Sequence, residues 1–323
     1  VPGNPHTLHF PLIEDMASTS ATTFSIDWGD GFSQEVVSSN AGISHTYASD
    51  LRNTEVFIVA TGHVPNFGFD AFGVNSASAG ALLSVSQWGG VTLHSVGGYF
   101  RGCDILESVP ELAPPRTGGE MNPSFADAFS GTAAFNGNLS RWDVTGAISM
   151  DRMFLNAASF RGGDLSSWNT SSVVSMVSVF ESAAEFDGDV STWDTSSVES
   201  MKSMFFKAAS FRGDVSKWDT SSVESMEHLF AGTPFDGNLS EWDVSGTRTI
   251  RSMFADATAF RGGNLSAWDT SSVTDMSFAF YNAPAFVGNV SGWDVSSVAY
   301  ITSAFERAAA FNGDLSRWNT VSV

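Results

Sequence analysis

The sequence predicts a β-rich fold in two unequal parts: a small antiparallel sandwich, then a long stack of short strand-plus-helix coils. Three observations point to it. Eight tryptophans, Trp142, Trp168, Trp193, Trp218, Trp242, Trp268, Trp293 and Trp318, recur at spacings of 26, 25, 25, 24, 26, 25 and 25 residues. Each spacing encloses nearly the same text, FDGDVSTWDTSSVESM from Phe186 and FRGDVSKWDTSSVESM from Phe211 being two copies. Residues 1–66 lack this text and carry apolar–polar alternation between turn signals instead. A unit repeated at fixed period is one supersecondary element that buries its faces against its neighbours.

In the first part, the runs HTLHFPL, TTFSIDW, FSQEVV and TEVFIVATG alternate in the manner of half-buried strands, separated by WGDG and by Ser/Asn/Asp turns. The Gly/Ala/Ser-rich text NFGFDAFGVNSASAG follows, and residues 67–80 read as a linker. Residues 81–119 read as degenerate capping coils, with LLSVSQWGGVTLHSVGGYFRGC (Leu82–Cys103) and LESVPEL (Leu106–Leu112) keeping parts of the repeat. Residues 120–323 form the regular array.

Each unit divides by period. In SSVESMKSMFFKAASF, Val198, Met201, Met204, Phe205 and Ala208 fall at i, i+3, i+6, i+7 and i+10, the pattern of a helical face. Asp194 and Ser196 precede it as capping residues. GDVSTW is too short for a helix and alternates with Asp189 out and Val190 in, so it reads as a short strand. Glycine before that strand, as at Gly188, Gly213 and Gly237, is expected to let the chain turn sharply. Unit length and the L-S-x-W spacing resemble a leucine-rich-repeat coil, with Phe, Met and Trp replacing most leucines. The expected array is therefore a right-handed, leucine-rich-repeat-like β/α solenoid with coils of about 25 residues. The chain stops after a strand at Val323 with no visible C-terminal cap.

Composition narrows function. Apolar residues make up 42% of the 323 positions, including 27 Phe and 10 Trp, enough to fill a long core. Fifteen basic residues stand against 35 acidic ones, a net charge of −20. That balance opposes nucleic acid, whose phosphates require Lys and Arg, and anionic membrane surfaces. Cys103 is the one cysteine, so no intramolecular disulfide framework exists. No run approaches the ~20 apolar residues of a spanning helix, and Val1 reads as a mature or trimmed start. The six histidines lack metal-ligand spacing, and no catalytic motif stands in a matching context.

Three features are candidates for binding. The tryptophan column could stack sugars, but its recurrence three residues after an inward Leu or Val favours a place in the core. The residue before that Leu or Val is acidic or amide in every unit: Asn138, Asp164, Asp189, Asp214, Asn238, Asn264, Asn289 and Asp314. On strands about 4.8 Å apart, Asp164, Asp189 and Asp214 would form a carboxylate row. Like charges at that spacing repel by roughly 1 kcal/mol in water, so the row is either solvated or bridged by Ca²⁺. Asn138, Asn169, Asn238, Asn264 and Asn289 also begin Asn-x-Ser/Thr triplets, candidate glycosylation sites in a secreted eukaryotic protein. In the first part, Asp27 and Asp30 of DWGDG suit a tight turn better than a metal.

Phrases such as GDVSTWDTSSVESM (Gly188–Met201) resemble the repeat of the BspA-like surface proteins, closely over residues 120–323 and loosely over 80–119. IDWGDG (Ile26–Gly31) with SHTYA (Ser44–Ala48) resembles a polycystic-kidney-disease-type immunoglobulin-like domain, which makes the expected N-terminal sandwich immunoglobulin-like. Departures such as Asn169, Asn319 and Ala304 fall at core and turn positions. The resemblance implies an extracellular or cell-surface protein without enzymatic activity, an adhesive or matrix scaffold binding surface proteins, matrix proteins or glycans. The alternatives are a filament subunit assembling head-to-tail through the open end and, more remotely, a glycan-active enzyme.

Overall fold

The structure, a computed structural model, describes residues 6–9, 23–37, 43–47, 57–62, 64–67, 80–93, 97–113 and 124–323. Nearly all of the expected linker, and parts of the expected sandwich and caps, lie outside these residues.

The N-terminal part is antiparallel, as its alternation requires. Strand β2 (Thr23–Asp27) pairs with β3 (Ser33–Val37) from Thr23↔Val37 to Asp27↔Ser33. Its other edge takes β5 (Val59–Gly62). Strand β1 (His6–His9) pairs with β4 (Ser44–Tyr47). The inward residues Phe24, Ile26, Trp28, Val36, Ile43 and Tyr47 form a small buried core. The β2–β3 loop is held by its own acids. Asp27 Oδ1 accepts the Gly29 N–H at 2.9 Å, and Asp30 Oδ1 accepts the Phe32 N–H at 3.1 Å. Gly29 is required there: its φ is +81°, and a Cβ would stand 2.5 Å from the Phe57 carbonyl oxygen. Strand β6 (Val64–Phe67) pairs in parallel with β7 (Val91–Leu93), where repeat-like text begins.

From residue 124 onward the repeats lie in register, one above the next. Parallel bridges join Ser124, Ser149, Ser175, Ser200, Ser225, Thr249, Asp275 and Tyr300 in series. One apolar cluster runs from Phe67 to Val298. Its spine is a column of phenylalanines, Phe129–Phe154–Phe180–Phe205–Phe230, with ring centroids 5.5 to 5.7 Å apart and nearly parallel planes. A second column, including Phe160, Phe186 and Phe211, packs against the first at 3.6 to 4.0 Å. Offset stacks of this kind contribute roughly 0.5–1.5 kcal/mol per pair beyond area burial.

The expected helix does not form, and among the described residues no helix is present. Alternate N–H groups point out of the coil: Met201 donates to Ser225 O, Ser203 to Glu227 O, Phe205 to Leu229 O and Lys207 to Ala231 O. Between them, Met204 N–H closes on Met201 O, Phe206 on Ser203 O and Ala208 on Phe205 O, each a four-residue β-turn. A helix would need every one of these donors for its own i−4 carbonyls. The apolar residues are buried as expected, because a chain of overlapping β-turns also brings i, i+3 and i+7 to one side. The turns place two residues per coil at positive φ, Ser203 at +56° and Lys207 at +59° in this one.

The expected strand is displaced as well. GDVSTW is a turn in which Trp193 N–H donates to Val190 O at 3.1 Å. Bridges at its acidic position occur at Asp164↔Asp189 and Asn264↔Asn289, while the continuous ladder runs through the position equivalent to Ser200, just before the core Met201 or its counterpart in each coil. Glycine there serves a different purpose from the one expected. Gly213 has ordinary φ, but a Cβ on it would lie 2.8 Å from the Phe211 ring.

No helix among the described residues is long and apolar enough to cross a membrane.

Candidate functional site

The turns lay out two exposed columns of Asp and Asn. The first contains Asn138, Asp164, Asp189, Asp214, Asn238, Asn264, Asn289 and Asp314; the second contains Asp143, Asn169, Asp194, Asp219, Asp243, Asp269, Asp294 and Asn319. In all sixteen, a side-chain oxygen accepts the backbone N–H two residues on. Asp and Asn share that carbonyl-type acceptor, and so they interchange freely here. The second column was legible as far as a cap at Asp194. Its equivalence to the first was not, since it appears only when WDTSS is a turn rather than a helix start.

Serine neighbours hold several of these carboxyls in the charged form. Hydrogen bonds from Ser166 lower the pKa of Asp164, and those from Ser216 do the same for Asp214. Asp219, Asp269 and Asp294 are lowered in the same way by Ser221, Ser271 and Ser296. Hydroxyls also tie coil to coil: Thr195 Oγ1 donates to Asp219 O at 2.8 Å, and Ser222 Oγ to Ser196 O at 2.8 Å.

Asp164, Asp189 and Asp214 stand exposed on consecutive coils, each with one oxygen committed to its own turn. Among the described residues, no group of three or more His, Cys, Asp or Glu side chains is placed to hold a metal ion. The asparagines Asn138, Asn169, Asn238, Asn264 and Asn289 are exposed. The tryptophans line no groove. Trp168, Trp193, Trp218, Trp242 and Trp293 are all at 3% exposure, and each indole N–H donates to a carbonyl of the preceding coil. Cys103 is buried, which pushes its thiol pKa up. In the N-terminal part, His45 stacks on Phe32 at 5.0 Å, and its Nε2 lies 2.6 Å from Asp30 Oδ2.

Residues 123–242, 161–264 and 250–323 match a family model described as Mycoplasma protein of unknown function, DUF285. The chain belongs to this family. In the DUF285 part, the matched segments overlap across the whole in-register array, so the family repeat and the turn-built coil are the same unit. Residues 1–122 lie outside the match. No curated protein and no solved structure matches the chain.

Proposed function

We propose that this chain is a non-enzymatic scaffold, secreted or held at the cell surface, that binds matrix proteins or glycans through many shallow contacts. In this reading the DUF285 coils form a leucine-rich-repeat-like solenoid of the BspA type, and residues 1–66 form an immunoglobulin-like sandwich that precedes it. The observation that carries the proposal is the repetition of exposed Asp and Asn in two columns over a sealed aromatic core. Sixteen near-equivalent polar sites suit multivalent attachment, in which weak contacts combine through effective concentration. Catalysis would call for one distinctive constellation instead.

The experiment is a binding series on immobilised extracellular-matrix protein and matrix glycan. Asp and Asn of both columns are replaced by Ala in one coil, then in two, then in four. Graded weakening with coil number supports the proposal. Unchanged binding in the four-coil variant, or complete loss on altering any single coil, overturns it.

A further inference from the structure

His228 sits where the other coils carry mostly small hydroxyl residues. At the first positive-φ position the array has Asp127, Arg152, Ser178, Ser203, His228, Ser252, Phe278 and Ser303. The imidazole packs 5.4 Å from the Phe206 ring of the preceding coil, which also carries the Lys207 ammonium at 4.8 Å. Its Nδ1 is buried and has no hydrogen-bond partner, while Nε2 lies 3.6 Å from Glu227. Glu227 is already bound on both sides, by Lys202 at 2.8 Å and by Arg251 at 4.0 Å. Arg251 is in turn shared with Asp275 at 3.6 Å, and Glu181 acts on the ring from two coils back.

From this geometry we infer that His228 is an acid-sensitive joint in the array, where mild acid opens the coil spanning Thr220 to Phe235 while its neighbours stay closed. Protonation would turn a buried lone pair into a buried N–H without an acceptor and would add a third cation around Glu227. Burial is the largest influence and lowers the His228 pKa; Arg251 and Lys202 lower it further, against Glu227 and Glu181. The sign follows from linkage. The folded state favours the neutral ring, so the stabilisation is complete above the ordinary value of about 6.5 and is lost as pH falls from there through the lowered folded value. His228 is the one histidine beyond residue 94, so no other imidazole in the array competes for this range. An opened coil would break both Asp/Asn columns at one place, although the inference does not depend on what those columns bind.

Hydrogen exchange of the full chain tests it, read peptide by peptide at about pH 7.5 and about pH 5.5 and corrected for intrinsic exchange. Opening of the peptide around Met226–Gly232 should accelerate several-fold on acidification, while the one around Met176–Ser182, which carries Ser178, should not. His228→Ser, which restores the common residue, should abolish the difference, as should His228→Gln, which keeps the bulk without the titration. Equal acid acceleration in all coils, or acceleration that survives in both variants, overturns the inference.

Discussion

The indole of Trp193 donates its N–H to the carbonyl of Leu165, 3.2 Å away in the preceding coil. The same bond recurs from Trp218 to Val190 and from Trp242 to Val215, both at 3.0 Å. Each tryptophan therefore fills its own coil and satisfies a buried acceptor of the coil below. Stacking is directional for this reason, with every coil completed by the one that follows.

Trp218→Phe separates these two contributions. Phenylalanine retains most of the apolar contact and removes one of the two donors to the Val190 carbonyl, which keeps the Trp193 N–H, a loss of about 0.5–1.5 kcal/mol. Trp218→Ala should cost about 3–5 kcal/mol, because it also opens a cavity. Urea unfolding of both variants checks the order. A Phe variant as stable as the parent chain would mean that the hydrogen bond contributes nothing.

Gly213→Ala should destabilise by about 1–3 kcal/mol through overpacking. The added methyl would meet the Phe211 ring at 2.8 Å, and that ring is held between Phe186 and Phe235 at 5.9 and 6.1 Å. A shift in thermal midpoint measures it. Rescue by Phe211→Leu in the double variant would identify the ring as the cause.

Stability should fall in acid with a definite chemistry. Carboxyls such as Asp214 and Asp219 have their pKa lowered in the fold by Ser216 and Ser221, so their contribution is present above the unfolded carboxyl value. It is lost as pH falls through the folded value. Replacing both with Asn, which occupies six of the sixteen equivalent positions, keeps the turn and should flatten the stability profile below about pH 4. Urea midpoints from neutral pH down to about pH 3 would show it.

The period and the buried columns were legible in the sequence, because core positions are marked by residue type at fixed spacing. Val198, Met201, Met204, Phe205 and Ala208 are all fully buried. The local conformation was not legible. Apolar residues three apart fit a helix and a string of β-turns equally, and the choice is made by donors such as Ser203 N–H, whose acceptor, Glu227 O, belongs to the next coil. The same limit hid the tryptophan bond, since nothing local marks Leu165 as the partner of Trp193. At the candidate site, the column of Asp164 and Asp189 could be read from alternation alone. The matching column of Asp194 and Asp219 was obscured by the cap reading.

The turn-built coil is tested most directly by glycine at the positive-φ positions. Ser203 and Lys207 hold φ of +56° and +59°, a region that disfavours side-chain-bearing residues, and Gly131 and Gly232 already occupy the position equivalent to Lys207. Ser203→Gly and Lys207→Gly should therefore leave stability unchanged or raise it by up to about 1 kcal/mol each. In a helix the same substitutions would each cost about 1 kcal/mol. Urea unfolding of the two variants decides it: midpoints at or above that of the parent chain are expected, and a clear fall in both would contradict the coil described.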